Sequence, residues 1–359
     1  MKRQRWLHST AILGISVALL APLTTGTASA AGAAGQAAAQ PSEQVVVSTS
    51  PEAPAAADQG ARTAAPCNVY NRTVLCWRTK LTVTVIRNRV VTGRLYGTIT
   101  QTINLKTTSR AFSERISLKT DRIVGNAGGI RAGFSVSCGS GCRARSTGVN
   151  GKTLRVGSII RGKISYSDGV RFGRVHQART RYVLSPLKPG YVPGPATWRS
   201  PIDFRCDDRM RRTSTSRGPK AGCVFPRFTP TLTTMRSLRF IAPNIRTWQR
   251  RGAPKVLHRN NFLTAANRRA VCGRATLPPG WRPPAGWPLP ATGNNRPSCD
   301  EYAFAGTNEG GARRGNGYGW VPLRENNSQG GRIATFFNQQ RVLNATSART
   351  RGDAFRVSV

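Results

Sequence analysis

Apolar and polar residues alternate in short runs over residues 67–195. Leu95–Ile103 and Phe134–Cys138 follow this two-residue period, which is typical of half-buried β-strands. Turn signals such as Asn150-Gly151 and Asp168-Gly169 separate the runs. Many short strands with regular turns predict a β-rich, sandwich-like domain. Its acids are isolated, so this stretch predicts a binding or positioning module and not a catalytic centre.

A helical period replaces the alternation towards the C-terminus. Asn260–Cys272 and Arg332–Gln340 both place apolar residues at helical spacing, and Ser328 is a suitable N-cap for the second helix. Alternation returns after Phe355 and predicts a closing strand. The sequence therefore predicts an α+β protein, in which an N-terminal all-β, sandwich-like region is followed by a small α+β domain over 256–359.

Residues 1–30 have the pattern of a secretory signal peptide. A basic start precedes the apolar run Ala11–Leu23, and Ala28-Ser29-Ala30 is a small-residue cleavage site. An uncleaved membrane anchor is the alternative, but the run is short and contains Pro22. We expect a secreted, extracellular protein whose mature form has no membrane span.

Two further segments lack a strong period. Residues 31–65 are rich in Ala, Gln, Ser and Pro, which predicts a flexible linker because few large apolar side chains are available to bury. Residues 196–255 are predicted to connect the two domains and to contain a disulfide loop. Within that loop Asp207-Asp208 is a possible metal pair, although the neighbouring arginines favour a solvated charge cluster.

The charge balance is strongly basic. The chain has 55 Lys and Arg against 14 Asp and Glu, a formal net charge of +41. Such an excess predicts salt-dependent binding to polyanions through counterion release. DNA is one such partner, and acidic cell-wall polymers are another.

The eight cysteines are even in number and fit an oxidising compartment. A zinc site is the alternative, but no histidine accompanies the cysteines at a suitable spacing. Proximity in sequence predicts four local disulfides: Cys67 with Cys76, Cys138 with Cys142, Cys206 with Cys223, and Cys272 with Cys299.

Acidic residues are concentrated in one short window of this basic chain. Asp300, Glu301, Glu309 and Glu325 all lie there. Carboxylates grouped in this way indicate a pocket for a divalent cation or a site of proton transfer.

The motifs in this window are similar to those of the NucA/NucB deoxyribonuclease family. The resemblance rests on Cys299–Tyr302, Glu309–Gly311 and Val321–Gly331, and the closing Gly352–Phe355 is similar as well. It covers roughly 256–359 and leaves the β-rich region unassigned. Two departures occur: Ala303 stands where the family usually has proline, and Gly306 where it commonly has serine.

The resemblance implies a metal-dependent endodeoxyribonuclease that hydrolyses DNA phosphodiester bonds with little sequence specificity. Because the motif contains no histidine, Asp300 is expected to be the base, and Glu301 is expected to support it or the metal. Glu309 is counted with these catalytic residues and, with Asn326, is expected to supply oxygen ligands to Mg²⁺ or Mn²⁺. Three arginines are candidates for holding phosphates: Arg314, Arg324 and Arg332.

A non-catalytic reading of the same features stays open. A polyanion-binding cell-wall or matrix protein with a degenerate nuclease domain would have the same charge and the same motifs. DNA bound without cleavage under any metal would distinguish it from an enzyme.

Overall fold

The computed structural model describes residues 43–51, 67, 69–210 and 220–359. The predicted signal peptide and most of the predicted linker lie outside the described residues. The described residues belong to one compact unit. Their β-strands, numbered in chain order, are β1 Glu43–Pro51, β2 Val74–Arg87, β3 Val90–Asn104, β4 Ala111–Gly125, β5 Arg131–Ser137, β6 Cys142–Thr147, β7 Ile159–Asp168, β8 Val175–Ala178, β9 Arg181–Leu187, β10 Val192–Gly194, β11 Ala196–Arg199, β12 Phe204–Asp207, β13 Gly222–Val224, β14 Thr231–Leu232, β15 Val256–His258, β16 Pro297–Tyr302, β17 Gly317–Pro322 and β18 Ala354–Val357. The α-helices are α1 Ile241–Arg250, α2 Thr264–Cys272 and α3 Leu323–Gln340.

A seven-stranded sheet dominates the N-terminal part, with the order β10-β1-β2-β3-β4-β7-β6. Strand β1 lies within the segment predicted to be a flexible linker, so that prediction is wrong for residues 43–51. Val45 and Val47 are buried in the core, and Val46 between them is exposed on the other face of the strand. This short period was hidden by the low-complexity composition around it.

A second sheet packs against the same core as the first. It has the order β11-β9-β5, and its Tyr182 and Trp198 stack with ring centroids 5.3 Å apart. Both side chains join the core that the large sheet buries, together with Trp77. Two sheets pack over one apolar core, and the described residues, rich in strands and with three α-helices, are consistent with the α+β class.

The segment predicted to connect the domains is divided between two cores. Strand β12 pairs with β13 on one side and with β8 on the other, and Phe204 and Phe225 are buried in the core of the β-region. Helix α1 belongs to a second core, which lies under the C-terminal elements and contains Ile245 and Phe355. The boundaries of the predicted domains stay predictions.

Helix α3 begins earlier than the sequence pattern predicts. Its first residue is Leu323, with Pro322 at the N-cap position, so Ser328 lies inside the helix and is not its cap. The predicted closing strand is present as β18, which pairs with β14 and β15.

All four predicted disulfides are confirmed. The structure pairs Cys67 with Cys76, Cys138 with Cys142, Cys206 with Cys223, and Cys272 with Cys299. No described cysteine is left free to bind zinc.

Buried ion pairs join the β-region to the C-terminal region. Arg72 and Arg205 both contact the Asp353 carboxylate, with nitrogen–oxygen distances of 2.5 and 2.7 Å. Arg341, which is fully buried, pairs with Asp207 at 2.7 Å. Breaking such a pair leaves an uncompensated buried charge, so this network fixes the two regions to each other.

Among the described residues, no helix has the length and apolar character needed to span a membrane.

Candidate active site

Asp300 lies at the base of an open cavity of about 610 Å³. It is carried by β16, which pairs with β17, and Asp300 lies opposite Gly319 in this register. Strand β16 supplies one wall of the cavity, and α2 and α3 supply the others. The lining includes two of the predicted catalytic acids and one predicted metal ligand: Asp300, Glu301 and Asn326.

The Asp300 carboxylate is held by a side chain from α1. Asn244 Nδ2 donates to Asp300 Oδ2 at 2.7 Å and to the Asp300 carbonyl at 2.9 Å. Trp248 Nε1 donates to Asn244 Oδ1 at 2.9 Å and so fixes the orientation of that amide. The acid is therefore positioned by two consecutive hydrogen bonds and has little rotational freedom.

Burial raises the pKa of Asp300 to about 7, because Asp300 is only 2 % exposed and water solvates the charged form poorly. The Asn244 amide opposes this shift, while the neighbouring Glu301 carboxylate adds to it. A carboxyl with this pKa changes its protonation near neutral pH, which is what a general base requires.

Glu301 occupies the adjacent position and has a different partner. Its Oε1 lies 3.5 Å from Arg268 Nε on α2, and the Arg268 side chain is largely exposed. Burial raises the pKa of Glu301, and Arg268 acts in the opposite direction. The disulfide between Cys272 and Cys299 ties α2 to β16 beside this pair.

Asn326 projects from the second turn of α3 towards β16. Its Nδ2 donates to Ser298 Oγ at 3.0 Å and to the Cys299 carbonyl at 3.1 Å. Both bonds use the amide nitrogen, which leaves Oδ1 as the group able to accept or to ligate. Gln329, one turn further along, is buried and lines the cavity. Its amide favours the charged form of Asp300, although Nε2 has no hydrogen-bond partner of regular geometry.

Two consecutive glycines complete the α3 wall. Gly330 and Gly331 line the cavity, and a Cβ added at either would meet no atom within 4 Å. Packing therefore does not require glycine here, and glycine inside a helix costs about 1 kcal/mol relative to alanine. The helix surface is kept flat and bare on the side that faces the cavity.

The two departures from the family motif lie next to the acids. The Tyr302–Ala303 peptide bond is cis, and Ala303 is buried. A Cβ at Gly306 would lie 3.3 Å from Asn261 Oδ1 and 3.4 Å from Thr264 Oγ1. Glycine therefore fits the local packing at this position, and the cavity keeps both carboxylates.

Glu309 does not line this cavity with the other acids. Its Oε2 accepts from the His258 backbone N–H at 2.7 Å, and its Oε1 lies 2.8 Å from His258 Nδ1. Glu309 and Asn326 were expected to ligate one metal ion. In the structure Asn326 lines the cavity, whereas the Glu309 carboxylate is bound by His258 on β15. The sequence offered no sign of this pairing, since the two residues are 51 positions apart.

The remaining predicted residues also lie away from the cavity wall. Glu325 Oε2 accepts from the backbone N–H groups of Phe240 and Ile241 at 2.8 and 3.1 Å, so it caps the start of α1. Arg332 donates to Thr234 and Ser237 and joins α3 to the preceding segment. Arg314 and Arg324 are exposed and are not part of the lining.

The donor atoms in the cavity are those of a hard cation site. Carboxylate and amide oxygens from Asp300, Glu301 and Asn326 are the kind of ligand that Mg²⁺ and Mn²⁺ prefer. Sulfur atoms of Cys272 and Cys299 also lie near the Glu301 carboxylate. Because these two residues form a disulfide, they offer no thiolate to a metal.

Residues 248–358 match the model of the family described as deoxyribonuclease NucA/NucB. The resemblance of the C-terminal region to this family is thereby confirmed. At the level of the family, the match indicates a deoxyribonuclease and implies DNA as substrate. A search of curated proteins found no match to this chain. Asn244, which holds Asp300, lies just before the matched range.

Proposed function

We propose that the chain is a metal-dependent endodeoxyribonuclease that hydrolyses DNA phosphodiester bonds with little sequence specificity. The observation that carries this proposal is the Asp300 carboxylate, buried and oriented at the base of an open cavity inside the region that matches the nuclease family. The cavity that it lines distinguishes this acid from one that only packs in a core.

The Asp300 carboxylate acts as the base. Above its pKa of about 7 it accepts a proton from the water that attacks phosphorus, and Asn244 holds it in position during that step. The bond to the leaving 3′- or 5′-oxygen breaks as the new phosphorus–oxygen bond forms. Arg268, exposed at the rim, binds a phosphate through its guanidinium while Glu301 restrains its Nε.

Glu301 and Asn326 Oδ1 would hold the divalent ion. When bound, Mg²⁺ or Mn²⁺ supplies a positive charge to the phosphate oxygens and lowers the cost of the charge that develops there. We assign Glu309 the role of positioning His258 on β15, because its carboxylate contacts His258 and is not part of the cavity lining. The arginines outside the lining, Arg314, Arg324 and Arg332, are proposed to contact phosphates further along the DNA.

Secretion is part of the same proposal. Four disulfides fit an oxidising, extracellular compartment, and the N-terminal pattern is that of a cleaved signal peptide. Two glycines without side chains on the cavity wall favour close approach of the DNA backbone, which is the same in every sequence. Acidic cell-wall polymers are further polyanions that the basic chain would retain.

The test is plasmid cleavage by the purified full chain with and without Mg²⁺ or Mn²⁺. Nicking with either ion, loss of nicking in EDTA and its recovery on adding the ion are expected. The Asp300→Asn variant is expected to bind DNA and to leave it uncut. Cleavage that persists in EDTA would rule out the metal dependence.

The non-catalytic alternative predicts a different result. A polyanion-binding protein with a degenerate nuclease domain would retard DNA in a gel and would not cut it with any metal. The same plasmid assay, followed by gel retardation on the uncut samples, distinguishes the two.

A further inference from the structure

The outer face of the seven-stranded sheet carries basic side chains on three adjacent strands. Along β4 and β7, residues of the buried set such as Ile116, Leu118 and Ile164 alternate with exposed ones. The exposed positions on β4, β7 and β6 include six cations that we call the basic sheet face: Arg115, Lys119, Arg161, Lys163, Arg143 and Arg145.

The strand register places two of these cations directly against each other. Arg115 on β4 lies opposite Lys163 on β7. Opposite residues in an antiparallel pair have Cβ atoms about 4.5–5.5 Å apart, and like charges at this distance destabilise the sheet. Arg161, two residues from Lys163, extends the same cluster. Folding alone therefore does not favour this arrangement.

Few acids balance the charge on this face. Asp121 lies at its margin, where it pairs with Lys119 at 3.1 Å and accepts from Thr98 at 3.1 Å. Among the described residues, Arg115, Arg161 and Lys163 make no ion pair. Their charges are exposed to solvent and available to an external anion.

Hydroxyl groups lie between the cations. Ser117 is opposite Arg161, whereas the hydroxyl of Thr102, opposite Arg115, already donates to Cys76 Sγ. Contacts to nucleic-acid phosphates are made by Arg and Lys together with Ser and Thr, so this face combines both kinds of phosphate donor. A β-sheet with strands about 4.8 Å apart repeats these donors at short intervals over a broad surface.

We propose that the basic sheet face binds the phosphate backbone of double-stranded DNA. It would be a second contact region, in addition to the cavity around Asp300. The choice of DNA as the polyanion rests on the proposed nuclease function. The buried ion pairs of Asp353 with Arg72 and Arg205 make the sheet and the cavity parts of one unit, so DNA held by the sheet stays with the site.

The test compares two neutralised pairs in the full chain. The first variant is Arg115→Gln/Lys163→Gln. The control is Arg181→Gln/Arg199→Gln, which removes two exposed cations that also lie directly opposite each other, on β9 and β11 of the other sheet. Binding of a labelled DNA duplex is measured by fluorescence anisotropy in EDTA over a series of KCl concentrations, with thermal unfolding as a check of the fold.

Each phosphate contact contributes about 0.9 to the slope of log K against log salt, so the first variant should lose about 2 from that slope. The control should keep the slope of the unsubstituted protein. Equal losses in both pairs would overturn the proposal, since they would indicate a diffuse charge effect. An unchanged slope in the first variant would also overturn the proposal. So would a slope that falls for heparin and not for DNA, because the face would then bind an acidic polymer such as one of the cell wall.

This outcome is separable from the nuclease proposal. Plasmid cleavage is measured on the same samples with metal. If the slope changes only in the first pair and the protein never cuts DNA, the basic sheet face binds DNA and the nuclease proposal is wrong. If the protein cuts DNA and the slope does not change, the nuclease proposal is supported and DNA binding by the basic sheet face is wrong.

Discussion

Two buried carboxylates in this molecule have the same raised pKa and different surroundings. Burial raises the pKa of Asp300 and that of Glu114 to about 7 in each case. Glu114, on β4, is fully enclosed and accepts from Tyr166 and Tyr182 hydroxyls at 2.6 and 2.9 Å. Gln101 donates to its other oxygen at 2.6 Å.

The difference between the two is access. Asp300 lines an open cavity, whereas Glu114 is fully buried and each of its polar partners is itself buried. A perturbed pKa marks a functional site only when the group can reach a substrate. The Glu114 cluster is therefore structural, and the Asp300 cluster is the candidate for chemistry.

The largest effect is expected from removing the charge of the accessible acid. Asp300→Asn should lower the rate of DNA cleavage by about 10²–10⁴-fold, because a positioned base contributes roughly that much. The matched change in the enclosed acid, Glu114→Gln, should leave the rate within about twofold. Initial rates of plasmid nicking with Mg²⁺ measure both, and an active Asp300→Asn protein would contradict the role of Asp300.

The enclosed acid should matter for stability instead. Glu114→Ala leaves two tyrosine hydroxyls and the Gln101 amide without their acceptor and opens a cavity, which together should cost roughly 4 kcal/mol. Denaturant unfolding monitored by tryptophan fluorescence measures this. Asp300→Ala is the comparison, and a larger loss of stability there than at Glu114 would reverse the assignment of the two acids.

Local pattern predicted much of the candidate site. The predicted disulfide from Cys272, at the end of a predicted helix, to Cys299 is present and ties α2 to β16. Helix α1 was not predicted, because Pro243 and Asn244 interrupt the helical pattern, although proline is tolerated in a first turn. Its contact with Asp300 spans 56 residues, and no local pattern contains it.

The start of α3 shows why the rest was not predictable. Asn326, Ser328, Gly330 and Gly331 are weak helix formers, so the pattern favoured a start after them. Tertiary contacts overrule that preference: Asn326 bonds to β16 and Glu325 to α1. Three of these weak helix formers, Asn326, Gly330 and Gly331, line the cavity.

The two acids should also be distinguishable by pH. The pKa of Glu114 rises from 4.5 when unfolded to about 7 when folded, so between these values the folded protein holds a proton that the unfolded chain has released. The stability that this group contributes should therefore be full below pH 4.5 and be lost as the pH rises to 7, by up to about 3 kcal/mol.

Chemical denaturation at several pH values tests this dependence. Glu114→Gln should remove the Glu114 share of the slope without changing the cleavage rate, whereas Asp300→Asn should remove its own share and the activity together. A Glu114→Gln protein with an unchanged slope would mean that Glu114 is charged in the folded state throughout this range.

The smallest effect is expected at Gly330 and Gly331, the two glycines of α3 that line the cavity. Substitutions there should change stability and cleavage rate in opposite directions. Gly330→Ala and Gly331→Ala should each stabilise the protein by about 1 kcal/mol, since open space surrounds both Cβ positions and alanine is the better helix former. If the glycines are there to let the DNA backbone approach, the same changes should reduce cleavage several-fold. Thr335→Ala, exposed on α3 outside the cavity lining, should raise stability without affecting cleavage. Thermal unfolding and nicking rates are measured on the three variants. If both glycine variants gain stability and keep full activity, the cavity wall tolerates side chains and the substrate does not touch it.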